Sequence, residues 1–85
     1  MLDATIPRFD AAMTVVETRG RDWPAPLEQL VNAIVDGWVG ETIALRTTDR
    51  SCLVEIAQWV NNAGHGLLGI YEHHGYDEVI VEVHH

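Results

Sequence analysis

The chain has 85 residues, only three of them proline, which leaves room for one small domain whose core must be thin. A hydrophobic share of 47% against 21% charged is a globular composition and excludes a disordered tail. Thirteen acids against five bases leave a net charge of -8, which repels phosphate backbones and anionic lipid and so excludes nucleic acid and membrane surfaces as expected partners.

Residues 1–12 show no periodicity and contain Pro7; they read as an irregular leader, followed by a single domain over 13–85. The opening stretch lacks the positive region and apolar run of a secretory signal, and no apolar run approaches the roughly 20 residues of a membrane helix. The cytoplasm is the expected compartment. Met13–Thr18, rich in Val and Thr, is strand-like. Arg19-Gly20-Arg21-Asp22-Trp23-Pro24-Ala25-Pro26 is a loop by its Gly and Pro content, and Pro26 suits the first turn of a helix. Leu27, Leu30, Val31 and Ile34 then form one apolar helical stripe, which Gly37 is placed to end as a C-terminal cap.

Thr42–Thr47 alternates, with Ile43 and Leu45 on one face, as a half-buried strand does. Asp49 is placed to cap a second helix, in which Leu53, Ile56, Ala57 and Val60 repeat the helical spacing and which Gly64 closes. Trp59 falls off that stripe. Residues 66–72 and 78–83 read as two strands of a hairpin around residues 73–77, with Val79, Val81 and Val83 facing the core. The order is βαβαββ. Two helices with one apolar stripe each cover only one face of a mixed four-stranded sheet, so the expected fold is a two-layer α/β sandwich. In its βαβ unit the loops after the first two strands open on one edge. Trp23, Asp49 and Cys52 are thereby placed on a common rim at two helix starts.

These residues carry a resemblance. Glu17-Thr18-Arg19-Gly20-Arg21-Asp22-Trp23-Pro24-Ala25-Pro26-Leu27 resembles the opening of the TusA/SirA-like sulfur-carrier family, where a strand and Arg-Gly lead into Cys-Pro-x-Pro and a helix. The likeness continues through Gly40-Glu41-Thr42, Thr48-Asp49, Glu55-Ile56 with Trp59, and Ala63-Gly64-His65-Gly66-Leu67-Leu68, covering about residues 13–83. It implies a carrier that holds sulfur as a persulfide on the cysteine of that motif. Such chemistry needs a thiolate, favoured at a helix N-terminus. Arg19, Gly20, Pro24 and Pro26 are kept, but Trp23 stands where the resemblance places the cysteine, and an indole has no nucleophile. Smaller departures are Arg50, Ala57 and Val60.

The resemblance then implies a sulfur-carrier-like protein without its carrier thiol, a binding or regulatory protein partner in sulfur transfer or related redox metabolism with no turnover of its own. Its contact surface would be Arg19, Trp23, Pro24, Pro26 and Asp49. Trp23 has two readings: a space-filling side chain folded over the rim, or a rigid anchor for a partner. One alternative is an active persulfide carrier using Cys52; another is a structural interaction module that uses the acidic surface and Trp59. Cys52, the lone cysteine, makes no internal disulfide and no zinc cage of two or more thiolates.

The histidines invite a metal. In the hairpin register His84 and His85 return beside His65, whereas His73 and His74 lie at the other end, and nothing supplies an orienting outer shell. The terminal pair has the look of an expression-tag remnant, and His65 is placed to cap the helix–strand turn. No metal site, cofactor, carboxylate pair for acid–base work, serine elbow or phosphate loop is expected.

Overall fold

A computed structural model describes residues 13–85; the leader expected over residues 1–12 lies outside the described residues. The elements are β1 (Met13–Thr18), α1 (Ala25–Asp36), β2 (Thr42–Thr47), a 3₁₀ turn (Arg50–Cys52), α2 (Leu53–Asn62), β3 (Gly66–His73) and β4 (Tyr76–Glu82). The strands form one sheet in the order β1-β2-β4-β3, with β1 parallel to β2 and the other neighbours antiparallel. This is the mixed two-layer α/β sandwich, in βαβαββ order, that the patterning implies.

Alternation assigns the faces. Ile43 and Leu45 of β2 and Val79 and Val81 of β4 meet Leu30 and Ile34 of α1 and Ile56 and Val60 of α2 in one buried cluster, completed by Cys52 and Val83. Burying an aliphatic side chain of this kind contributes roughly 1.5–3 kcal/mol before chain entropy is set against it. The opposite face has no helix over it among the described residues. There Ala44 is covered by its sheet neighbours Val15 and Ile80, and Met13, Val15, Leu68, Tyr71 and Ile80 line a shallow groove.

Three local devices go beyond the sequence expectation. Gly37 caps α1 as expected, and does so in extended backbone (φ -89°); it is glycine because the Glu41 carboxylate occupies the space a Cβ would fill. That carboxylate accepts bonds from the Thr14 hydroxyl and, at 3.2 Å, the Trp38 N–H, tying β1 to the α1–β2 loop. The β3–β4 hairpin closes in two residues, His74 and Gly75, with Gly75 at φ +90°, so its strands run further than the alternation suggested. An extra residue, Leu68, bulges from β3 between Leu67 and Gly69 and turns Leu68 and Tyr71 away from the helices.

Candidate functional site

The parallel pairing of β1 and β2 sends both of their exits to one end of the sheet, and side chains of the second loop hold the first. The Gly20 N–H donates to Thr48 Oγ1 at 2.8 Å and the Trp23 N–H donates to Asp49 Oδ2 at 3.1 Å. The other Asp49 oxygen accepts the Ser51 N–H at 3.1 Å, capping the 3₁₀ turn that leads into α2. These donors, the Ser51 hydroxyl first and then the Trp23 backbone, hold the Asp49 carboxyl below its ordinary pKa. One carboxylate therefore fastens the start of α2 to the approach of α1.

Trp23 sits in this clasped loop with its side chain partly in water, 41% exposed, ahead of a cis peptide bond to Pro24. Pro24 and Arg19 are exposed beside it. Arg19 donates to Glu17 at 2.7 Å and stands 4.8 Å above the Tyr76 ring, an arrangement that holds the Glu17 carboxyl below its usual range through the Arg19 hydrogen bond. Arg46 and Arg50 lie at the same end, but Arg46 pairs with Glu78 (3.2 Å) and Arg50 with Glu72 (3.2 Å) and Asp77 (3.4 Å). The rim's guanidinium charge is thus largely answered by the chain's own carboxylates.

Pro26 is fully buried in the first turn of α1, so it sets the start of the helix and has no surface to offer. Cys52 belongs to the rim's backbone, but its side chain points inward and is 1% exposed. Its Sγ donates to the Asp49 carbonyl at 2.9 Å and lies 3.7 Å from Thr47 Oγ1, and burial pushes its pKa up. A thiol so placed is short of both thiolate and access.

At the opposite end, the hairpin register does bring His84 and His85 back to His65. The His65 and His85 rings stack with centroids 4.5 Å apart, while the His84 ring turns to Glu82 at 3.2 Å. His65 closes the helix–strand turn with its backbone N–H, which donates to the Val60 carbonyl at 3.0 Å, and its Nδ1 accepts the His84 backbone N–H at 3.1 Å. Among the described residues no group of three or more His, Cys, Asp or Glu is arranged to hold a metal ion, and no helix is long and apolar enough to cross a membrane. Sequence reasoning overlooked the exposed Val35, Trp38 and Val39 at the end of α1 and in the following loop. Two large apolar residues between Gly37 and Gly40 were the available signal.

Fold and rim together define a small α/β domain that presents a clasped X-Pro loop at its surface. No protein-family model matches the chain. It is similar to a protein of Archaeoglobus fulgidus that bears the name "Putative sulfur carrier protein", with 31% identity over 70 residues, 82% of this chain and 96% of that protein. The chain belongs to the sulfur carrier family.

Proposed function

We propose that this chain is a TusA/SirA-like member of that family without the carrier thiol, acting as a binding or regulatory partner in sulfur transfer without turnover of its own. Its contact surface is the rim of Arg19, Trp23, Pro24 and Asp49, with Pro26 beneath it fixing the helix start. The observation that carries this reading is the pairing of an exposed indole in the Trp23-Pro24-Ala25-Pro26 loop with a lone thiol buried beneath the neighbouring turn. Persulfide chemistry has no accessible sulfur on this rim, whereas a rigid aromatic side chain held by backbone bonds is a good protein-binding anchor. The burial of Cys52 weighs against the alternative in which that residue is the carrier.

The experiment is intact mass measurement after incubation with a cysteine desulfurase and cysteine. The native chain should keep its mass, and Trp23→Cys should gain one sulfur atom. Sulfur uptake by the native chain would refute the thiol-free reading, and persistent inertness of a folded Trp23→Cys variant would refute the assignment of this loop as the carrier position.

A further inference from the structure

The ring cluster at the end of the sheet opposite the rim has a chemistry that the docking reading does not use. His65 is 8% exposed. Its ring lies between Trp59, 6.1 Å away and tilted by 25°, and His85, 4.5 Å away and tilted by 17°. Three contacts hold His84 and His85 here. The His84 N–H donates to His65 Nδ1 at 3.1 Å, His85 stacks on His65, and His85 Nε2 donates to the Ala63 carbonyl at 2.6 Å. His85 thereby forms one wall of a groove between the helices, of about 470 Å³, whose other walls include Val31, Val35 and Trp59.

We propose that His65 is a pH-operated clasp: neutral, it pins His84 and His85 against the groove between α1 and α2, and protonated, it releases them and opens that groove beside Trp59. The geometry dictates the tautomer. A backbone N–H donates to Nδ1, so Nδ1 must carry a lone pair and the ring must be neutral. A proton added at Nδ1 would face the His84 N–H donor to donor, and the bond would be lost rather than weakened. The ionisable groups facing the ring are His84 and His85, and both oppose its charge. From α2 it meets Trp59, and the groove walls from α1 are Val31, Ile34 and Val35, none of them ionisable. Glu82 turns to the His84 ring, at 3.2 Å, and Glu41 to Thr14 and the Trp38 N–H. Burial, first, and then the two neighbouring imidazoles hold the His65 pKa below the ordinary histidine value. The released state therefore takes up the proton more readily, and acid favours it.

The test is an NMR titration of the whole chain, following the His65 ring, the His84 amide and the Trp59 indole. The clasp requires the His84 amide to lose protection at the midpoint of His65, with about a tenfold change in the docking equilibrium for each unit separating the docked and released pKa values. His65→Gln keeps an uncharged acceptor and should hold His84 and His85 in place through the same acid range. A variant ending at Val83 should show the His65 midpoint moved up towards 6.5. Continued protection of His84 after His65 has titrated overturns the proposal, and so does release at an unchanged pH in His65→Gln. Should the glutamine variant not fold, the native chain's His84 protection alone decides.

Discussion

At the scale of single residues, the molecule separates the part of Trp23 from that of Cys52. Trp23 is half in water, so its truncation should cost less than about 1 kcal/mol of stability, equivalent to a melting shift of a few degrees in a domain this small. As an interface anchor the same Trp23→Ala change should weaken partner binding about 30-fold or more, near 2 kcal/mol. Calorimetry of the free variant beside titration into the partner separates these effects, and equal losses in both would reduce Trp23 to a space-filling side chain. Cys52 should behave oppositely. Iodoacetamide should leave it unmodified in the folded chain at neutral pH and alkylate it in denaturant, and labelling as fast as that of free cysteine would show that the thiol is not buried. The sequence placed both residues near one rim through the βαβ rule; the Trp23 N–H bond to Asp49 joins the two loops there, while the Cys52 side chain turns inward. The direction of the Cys52 side chain was not legible, because a residue beside a helix start can turn inward or outward according to its packing. Here Thr47 and the Asp49 carbonyl receive it.

At the scale of elements, β2 and the two helices were legible because each carries a clean period: two in Thr42–Thr47 and 3.6 in the stripes through Leu30 and Ile34 and through Ile56 and Val60. The closures of those elements were less so. Gly37 was legible as the cap of α1, but the reason it must be glycine is a carboxylate from Glu41, which no local pattern carries. The bulge at Leu68 was equally hidden, since an apolar Gly66–Ile70 run offers no alternation to break. Leu30 and Ile56 are 0% exposed, one on each helix, and either changed to alanine should cost about 2–5 kcal/mol, measured by urea unfolding. A loss under about 1 kcal/mol at either position would mean that its helix does not rest on the sheet as described. Gly75→Ala should cost about 1 kcal/mol through its positive φ, since nothing lies within 4 Å of the site of the added Cβ. Loss of the clasp between loops, in Asp49→Ala, should free the Trp23 amide to exchange with solvent while the β1–β2 amides stay protected.

At the scale of the whole molecule, stability should fall on acidification in two stages whose signs follow from the perturbed groups. The His65 pKa is held below its unfolded value, so the unfolded chain binds the first proton, and stability is lost as the pH drops below about 6.5. Asp49 and Glu17 are likewise held low, so their contribution persists above about pH 4 and disappears as the pH falls through their native values. Thermal melts from pH 7 to pH 3 should show both stages, with the first absent in His65→Gln. The side of the sheet away from α1 and α2, where Val15, Leu68 and Tyr71 stand about half in water, has a colloidal consequence. At neutral pH the excess of eight negative charges keeps copies of the chain apart. Near pH 4.8, where that repulsion vanishes, the oily flank should make the solution turbid, and a charge placed at Leu68 should clear it.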